Sequence, residues 1–250
     1  MAENAPLSRD ALIEAMSKGI KPKDQWRIGA EHEKFGFDKT TLARPAYDGP
    51  NGIKAMLEGL QRFGWSPVEE NGFLIGLERR NSEGFVASVS LEPGGQFELS
   101  GAPLLTIHDI CNETGQHLME VKQVADQIGV GFLGAGFDPL WTREQVPVMP
   151  KGRYDIMRAY MPKKGRLGLD MMLRTCTIQA NLDFDSEADM VMGEASAPER
   201  TTKATWRTKL SAAIGICTNT AGILLVDPDG GNTMLFVGRE PGPEIALYLR

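Results

Sequence analysis

The spacing of apolar residues along the chain predicts four helices. They cover residues 8–19, 53–63, 106–128 and 155–160. The third is the clearest, because Thr106 and Asp109 resemble a capping box and Gly129 can end the helix. Its apolar residues recur at helical spacing, so we expect one face of this helix to pack against the core.

Alternation of apolar and polar residues predicts strands between these helices. They cover residues 26–37, 73–77, 85–91, 96–99 and 173–184, and a hairpin is expected over 223–237. The charged stretch from Glu78 to Asn81 is expected to form the turn between the second and third strands. Because strands alternate irregularly with helices, the pattern favours an α+β fold.

Length and charge narrow the class of protein. A chain of 250 residues is long enough for one large domain or two small ones with a substantial core. The formal net charge of −6 argues against a nucleic-acid-binding surface, which needs clustered Lys and Arg. The opening stretch MAENAPLSRD is polar, and no run of about 18 apolar residues is present. We therefore expect a cytoplasmic protein that does not span a membrane.

The three cysteines are Cys111, Cys176 and Cys217, which are widely spaced and form no CxxC pair. Neither a zinc site nor a disulfide framework is indicated by this spacing. The simplest interpretation is that all three are buried free thiols. The sequence does not indicate an oligomeric state.

Four glutamates are the candidates for chemistry. Glu31 and Glu33 share one face of the predicted strand over 26–37, while Glu92 and Glu98 flank a Gly-rich bend on neighbouring strands. Mg²⁺ prefers carboxylate and phosphate oxygens, so a carboxylate-rich sheet face suits a site of phosphate transfer. The alternative is a solvent-facing strand with ordinary surface glutamates and a structural bulge at the bend.

A second polar pattern lies on the predicted strand over 173–184. Every second residue there is polar, namely Thr175, Thr177, Gln179 and Asn181. Such a face is expected either as the wall of a polar site or as the solvated side of an antiparallel sheet. The pattern alone leaves both interpretations open.

Five ordered blocks of sequence together resemble one protein family. The blocks are IGAEHEKFGF, LEPGGQFELSGAPL, TIHDICNETGQHLMEVK, PVMPKGRYDIMRAYMP and GLDMMLRTCTIQANLDF. Between about Leu12 and Met190 they resemble the glutamate-cysteine ligases of the plant and proteobacterial type. The resemblance implies a glutamine-synthetase-like fold, in which a curved and mainly antiparallel sheet flanked by helices holds ATP, metal ions and glutamate.

The resemblance also implies a reaction and its site residues. ATP would phosphorylate the γ-carboxylate of glutamate, and the amine of cysteine would displace the phosphate to give γ-glutamylcysteine, the precursor of glutathione. Glu31, Glu33, Glu92 and Glu98 would bind Mg²⁺ or Mn²⁺, which bridges the ATP phosphates. Arg153 would bind a carboxylate of glutamate, since its planar fork can donate two parallel hydrogen bonds. Gln179 and Asn181 would line the same cavity.

The resemblance does not extend along the whole chain. Residues 1–190 are expected to form the N-terminal part of a ligase catalytic domain, whereas 191–250 form a divergent tail of unassigned role. With later parts of the family sheet missing, the strand from Thr175 to Asn181 and the strand of Glu31 and Glu33 would lack some of their neighbours, and we expect little or no ligase activity from the chain alone. Two alternatives stay open: a catalytically inactive remnant that binds metal or partners, and a carboxylate-amine ligase with another acceptor amine.

Overall fold

A computed structural model describes residues 8–189, 221–226 and 232–237 of the chain. Its helices are α1 (Arg9–Ser17), α2 (Ile53–Leu60), α3 (Ile107–Ile128), α4 (Gly152–Tyr160) and α5 (Gly168–Arg174). Its strands are β1 (Ile28–Asp38), β2 (Ser66–Glu70), β3 (Phe73–Arg80), β4 (Val86–Leu91), β5 (Phe97–Ser100), β6 (Val130–Leu133), β7 (Ile178–Leu182), β8 (Ala221–Val226) and β9 (Asn232–Val237).

Strand β1 pairs with three other strands of the main sheet. The strand order is β2-β3-β4-β5-β1-β6, and β7 also pairs with β1. Each of these pairs is antiparallel, which confirms the predicted α+β fold with a mainly antiparallel sheet and flanking helices. Glu31 lies opposite Ser100 of β5 and also opposite Gln179 of β7. The expectation of missing neighbours is therefore wrong for β1 at Glu31, because β7 pairs along the edge that faces away from β5, whereas β7 itself pairs only with β1 among the described strands.

One face of the sheet forms the core with α2 and α3. The central strands contribute fully or almost fully buried side chains, and α2 contributes four more: Leu77, Val89, Leu91, Phe97, Leu99, Ile53, Met56, Leu57 and Leu60. Burial of one such side chain stabilises the fold by roughly 1.5–3 kcal/mol. Since neighbouring residues of a strand point to opposite faces, Ser90 and Glu98 project from the face opposite Val89 and Leu99.

The capping residues predicted at the ends of α3 and at the start of α1 are confirmed. Thr106 accepts a hydrogen bond from the Asp109 N–H at 3.2 Å, and the Asp109 carboxylate accepts one from the Thr106 N–H at 3.0 Å. These reciprocal bonds satisfy two backbone donors at the start of α3. The helix ends at Gly129, whose φ of 74° is in the left-handed region. Ser8 in turn accepts the Ala11 N–H at the start of α1.

The predicted strand over 173–184 is wrong in its first half. Residues 168–174 form α5, and β7 covers only Ile178–Leu182. The Thr175 hydroxyl donates to the Met171 carbonyl at 2.6 Å, so this polar residue closes the helix instead of extending a strand. The alternation of apolar and polar residues was misleading here, because a short amphipathic helix followed by a strand can show the same alternation as one long strand.

The predicted turn from Glu78 to Asn81 is also displaced. Strand β3 continues to Arg80, and the Asn81 side chain accepts the N–H groups of Glu83 and Phe85. An asparagine that bonds its own following backbone is a stronger turn signal than a charged stretch. Strands β2 and β6 and helix α5 were not predicted, and α4 begins three residues earlier than expected.

The remaining predictions concern the C-terminal segment, the cysteines and membrane spans. Strands β8 and β9 pair antiparallel, as expected for the hairpin, and residues 227–231 lie outside the described chain. Cys176 is a buried free thiol, but Cys111 is disulfide-bonded, so the expectation was wrong for that residue. Cys217 and most of the 191–250 tail lie outside the described residues. Among the described helices, none has the length and apolar character needed to cross a membrane.

Candidate functional site

Three of the four predicted glutamates lie close enough to interact strongly. Glu33 of β1 is opposite Glu98 of β5, and Glu92 follows directly after β4. Burial, and after it the charges of Glu98 and Glu92, together raise the pKa of Glu33 to about 8. Burial and the charge of Glu98 also raise the pKa of Glu92 above its usual range. Carboxylates in this arrangement favour either a shared proton or a bound cation.

The fourth glutamate, Glu31, has its own hydrogen-bond partners on β7. Its carboxylate accepts hydrogen bonds from Gln179 Nε2 at 2.8 Å and Asn181 Nδ2 at 2.9 Å. Glu33 accepts the N–H of Thr177 at 3.0 Å and its hydroxyl at 3.2 Å. Polar side chains of β7, and Thr177 immediately before it, therefore orient both β1 carboxylates. This favours the interpretation of the polar face of this segment as a site wall, although Thr175 is not part of it.

Two cations lie beside the carboxylates at the start of α4. Arg153 Nη2 is 3.6 Å from Glu92 Oε1, while its side chain is 63% exposed and so accessible to a substrate. Lys151 Nζ donates to the Leu91 carbonyl at 3.1 Å, next to Glu92. Tyr154 is fully buried and its hydroxyl donates to the same carbonyl, which fixes α4 against β4.

Lys151 was not predicted as a site residue. The charges of Lys151 and Arg153 both lower the pKa of Glu92, against the larger effect of burial. The signal that could have found Lys151 is the pair of cations in Lys151-Gly152-Arg153, placed at the beginning of a helix. The sequence, however, does not show that this helix packs beside the end of β4.

The four glutamates offer only carboxylate oxygens as ligands for a divalent metal ion. Within residues 8–189, 221–226 and 232–237, no three His, Cys, Asp or Glu side chains lie in the geometry of a metal site. The chemistry of the four glutamates nevertheless fits a hard cation. Burial and neighbouring carboxylates raise the pKa of Glu33 and of Glu92, and a bound cation would relieve the repulsion between these carboxylates. The assignment of Glu31, Glu33, Glu92 and Glu98 as ligands stays a prediction.

Two cavities in the described chain do not offer the same chemistry. One of about 220 Å³ is lined mainly by apolar side chains, including Phe35, Leu42 and Trp141. Its acidic residue, Asp138, is already paired with Arg44 at 2.7 Å. A small cavity of about 10 Å³ adjoins Glu33, with room for about one water molecule. The carboxylate group is thus the better candidate for a site that binds phosphates.

Comparison with known proteins identifies the family. Residues 27–197, more than half of the chain, match the model of glutamate-cysteine ligase family 2 (GCS2). The chain belongs to this family. It is 58% identical over 187 residues to the chloroplastic glutamate-cysteine ligase of Arabidopsis thaliana, a match that covers 74% of this chain and 34% of the relative. The matching enzyme of Brassica juncea is 57% identical, with 74% and 35% covered. Ligase A of Oryza sativa subsp. japonica is 54% identical, with 74% and 36% covered.

Membership of glutamate-cysteine ligase family 2 confirms the resemblance and corrects one prediction. The chain spans about a third of the length of the curated relatives it matches. These relatives are all named as chloroplastic enzymes, so the prediction of a cytoplasmic location is wrong. The inference failed because an apolar signal segment is diagnostic of secretion, whereas plastid transit peptides are amphipathic and rich in Ser and Arg.

Proposed function

We propose that this chain forms the metal- and glutamate-binding face of a glutamate-cysteine ligase. The reaction joins the γ-carboxylate of glutamate to the amino group of cysteine and consumes ATP. The observation that supports this most directly is the convergence of Glu33, Glu92 and Glu98 beside Arg153. Family membership and the names of the relatives support it independently.

Each proposed role follows from the chemistry of the side chain. Glu31, Glu33, Glu92 and Glu98 would hold Mg²⁺ or Mn²⁺, which neutralises charge on the ATP phosphates when bound. Arg153 would bind a carboxylate of glutamate through its planar fork. Gln179 and Asn181 would line the glutamate cavity while they orient Glu31, whose carboxylate they already contact.

The reaction has two steps in this proposal. The γ-carboxylate oxygen of glutamate attacks the terminal phosphorus of ATP, ADP leaves, and an acyl phosphate forms. The cysteine amine then attacks the acyl carbon, loses a proton, and expels phosphate to leave γ-glutamylcysteine. Residues of this chain would position glutamate and the phosphates for the first step, and positioning together with electrostatic stabilisation accounts for most catalysis of phosphoryl transfer.

The proposal extends to the domain that surrounds the site. We assign residues 1–190 to the N-terminal part of the ligase catalytic domain, with a sheet that is curved and related to that of glutamine synthetase. Within 27–189, the family match and the described antiparallel sheet support this assignment. Residues 191–250 receive no role in the reaction.

Binding measurements on the chain test the proposal first. Calorimetric titration with L-glutamate, in the presence of Mg²⁺ and a non-hydrolysable ATP analogue, is expected to show binding that disappears when Mg²⁺ is omitted. Glu33→Gln should weaken this binding strongly. Exposed Glu69 on β2 supplies the control, and Glu69→Gln should bind as the native chain does. Absence of both glutamate and nucleotide binding would contradict the proposal.

A single-turnover experiment tests the acceptor amine. The chain is mixed in excess with ATP, Mg²⁺, glutamate and cysteine, and the products are identified by mass spectrometry. This format detects the reaction even if turnover is slow. We expect γ-glutamylcysteine. Coupling of glutamate to another amine in preference to cysteine would indicate a different carboxylate-amine ligase, and metal binding without glutamate or nucleotide binding would indicate an inactive remnant.

A further inference from the structure

Gln96 is a buried amide in the turn that joins β4 to β5. Gln96 as a whole is only 2% exposed to solvent. The Glu92 N–H donates to the Gln96 carbonyl at 2.8 Å, and the Gly95 N–H donates to the Glu92 carbonyl at 2.8 Å. Gly95 has a φ of 76°, a left-handed conformation that favours glycine. Glu92 and Glu98 therefore lie on either side of one tight turn.

The Gln96 side chain connects this turn to the end of α5. Its Oε1 accepts the Gly94 N–H at 2.9 Å. Its Nε2 donates to the Met172 carbonyl at 3.3 Å and to the Thr175 carbonyl at 2.8 Å. One amide thus satisfies a backbone donor of the turn and two backbone acceptors of a segment about 80 residues further along the chain.

The segment held by Gln96 also positions Glu33. Thr177 lies two residues after Thr175 and donates both its N–H and its hydroxyl to the Glu33 carboxylate. The contacts therefore run from the Glu92 turn through Gln96 to Thr175, and from there to the residue that orients Glu33. This path is separate from the backbone pairing of β1 with β5.

Arg44 braces the same turn from the opposite direction. Its Nη2 donates to the Gly94 carbonyl, and its Nη1 donates to Asp138 Oδ2 at 2.7 Å. Both charged side chains are only 1% exposed. A shift of the turn would leave a buried donor of Arg44 without its Gly94 acceptor, which costs free energy, so this contact restrains the turn.

We propose that Gln96 is a positioning residue that sets the separation of Glu92 and Glu33 for a small divalent cation. This inference rests on the proposed function, because it requires these carboxylates to bind the cation. Mg²⁺ demands near-ideal octahedral geometry, whereas Ca²⁺ tolerates irregular ligands and longer distances. A turn fixed by Gln96 favours Mg²⁺, and loosening it reduces the preference for Mg²⁺ over Ca²⁺.

Calorimetric titrations of the chain with MgCl₂ and, separately, with CaCl₂ test this inference. Gln96→Met removes all three hydrogen bonds of the amide and is expected to raise the Kd for Mg²⁺ about tenfold, as for other residues that orient metal ligands. The Kd for Ca²⁺ should rise less than about threefold, since Ca²⁺ adapts to altered geometry. Gln96→Asn, whose side chain is one methylene shorter, and Arg44→Met should both lower the affinity for Mg²⁺ relative to that for Ca²⁺.

A matched control separates positioning from general destabilisation. Arg79 donates to the buried Glu120 at 2.9 Å and lies over the Trp65 ring. Arg79→Met therefore removes a buried ionic contact that is not made to the Glu92 turn. It should lower the thermal unfolding temperature, as the Gln96 variants do, but leave the Kd for both cations unchanged.

The outcomes distinguish the inference from the proposed function. If the native chain binds neither cation, both the metal site and the role of Gln96 are wrong. If the native chain binds Mg²⁺ and the Gln96 variants show the same ratio of Mg²⁺ to Ca²⁺ affinity, only the role of Gln96 is wrong. If the Gln96 variants and Arg79→Met all lose the same affinity for both cations, Gln96 has only a structural role.

Discussion

Glu33 is the carboxylate on which burial and neighbouring charge act together. Its pKa is raised from 4.5 to about 8, mainly by burial and then by Glu98 and Glu92. The hydrogen bonds from Thr177 act in the opposite direction but do not compensate. At neutral pH a free carboxyl at this position is therefore held mostly protonated, and a cation that replaces the proton relieves the same repulsion.

This environment predicts a pH dependence of stability in the metal-free chain. Because the folded pKa of Glu33 is the higher one, its contribution to stability is complete below pH 4.5 and is lost as pH rises through about 8. Burial lowers the pKa of His32 to about 3, so His32 takes up a proton only on unfolding and its contribution changes in the opposite direction, mostly below about pH 7.5. Between about pH 6.5 and about pH 8, one proton changes the free energy of unfolding by at most about 2 kcal/mol.

Urea denaturation in the presence of a chelator measures the effect. The native chain should lose stability between about pH 6.5 and about pH 8, and Glu33→Gln should show a smaller loss, because a neutral amide does not titrate. Glu31→Gln, on the same strand, should retain the native pH dependence. An identical loss in the native chain and in Glu33→Gln would show that Glu33 does not have the raised pKa.

Arg153 is expected to determine affinity for glutamate. Its exposed guanidinium lies 3.6 Å from Glu92 and can turn toward a substrate carboxylate. Arg153→Lys replaces a two-pronged donor by a point charge, so the Kd for glutamate should rise about tenfold, as for loss of one charge-assisted hydrogen bond. Arg158→Lys, later in the same helix, is the control. Calorimetry with glutamate, Mg²⁺ and an ATP analogue measures both, and an unchanged Kd in Arg153→Lys would remove this residue from the substrate site.

Helices α2 and α3 pack closely against each other at Gly59. A Cβ atom added to Gly59 of α2 would overlap Val124 of α3. Gly115 lies within α3, and a Cβ atom added there would have no neighbour within 4 Å. Alanine is favoured over glycine inside a helix by about 1 kcal/mol, but overpacking a core destabilises by typically 1–3 kcal/mol.

The two alanine substitutions should therefore have opposite effects. Gly59→Ala is expected to lower the free energy of unfolding, because the overlap with Val124 outweighs the gain in helix propensity. Gly115→Ala is expected to raise it by up to about 1 kcal/mol. Thermal and chemical denaturation of both variants measure the difference. A stabilised Gly59→Ala would mean that α2 and α3 are not packed as described.

The sequence was informative wherever a local pattern determines structure. Alternation identified β1 and placed Glu31 and Glu33 on one face, and capping residues identified both ends of α3. It failed at the boundary between α5 and β7, because the contacts that decide it are made by Gln96 from a distant turn. Lys151 was missed for the same reason, since its partner lies on β4. Long-range packing is not encoded in any short window of residues.

At the scale of the whole molecule, the described main sheet has a core on one side and clustered carboxylates on the other. Helices α2 and α3 contribute buried apolar residues to the first side, while Ser90 hydroxyl donates to Glu98 at 2.9 Å on the second. With a net charge of −6, the chain adds no general positive field to offset the cluster. Lys151 and Arg153 provide local compensation, and a divalent cation would complete it.

Titration calorimetry with Mg²⁺ tests this account most directly. The native chain is compared with the double variant Glu33→Gln/Glu98→Gln and with Glu69→Gln/Glu78→Gln, which removes two exposed carboxylates from β2 and β3 of the same sheet. We predict that the native chain and the second variant bind Mg²⁺ equally, and that the first variant binds it more than about tenfold more weakly. Equal affinity of the native chain and Glu33→Gln/Glu98→Gln for Mg²⁺ would contradict the account.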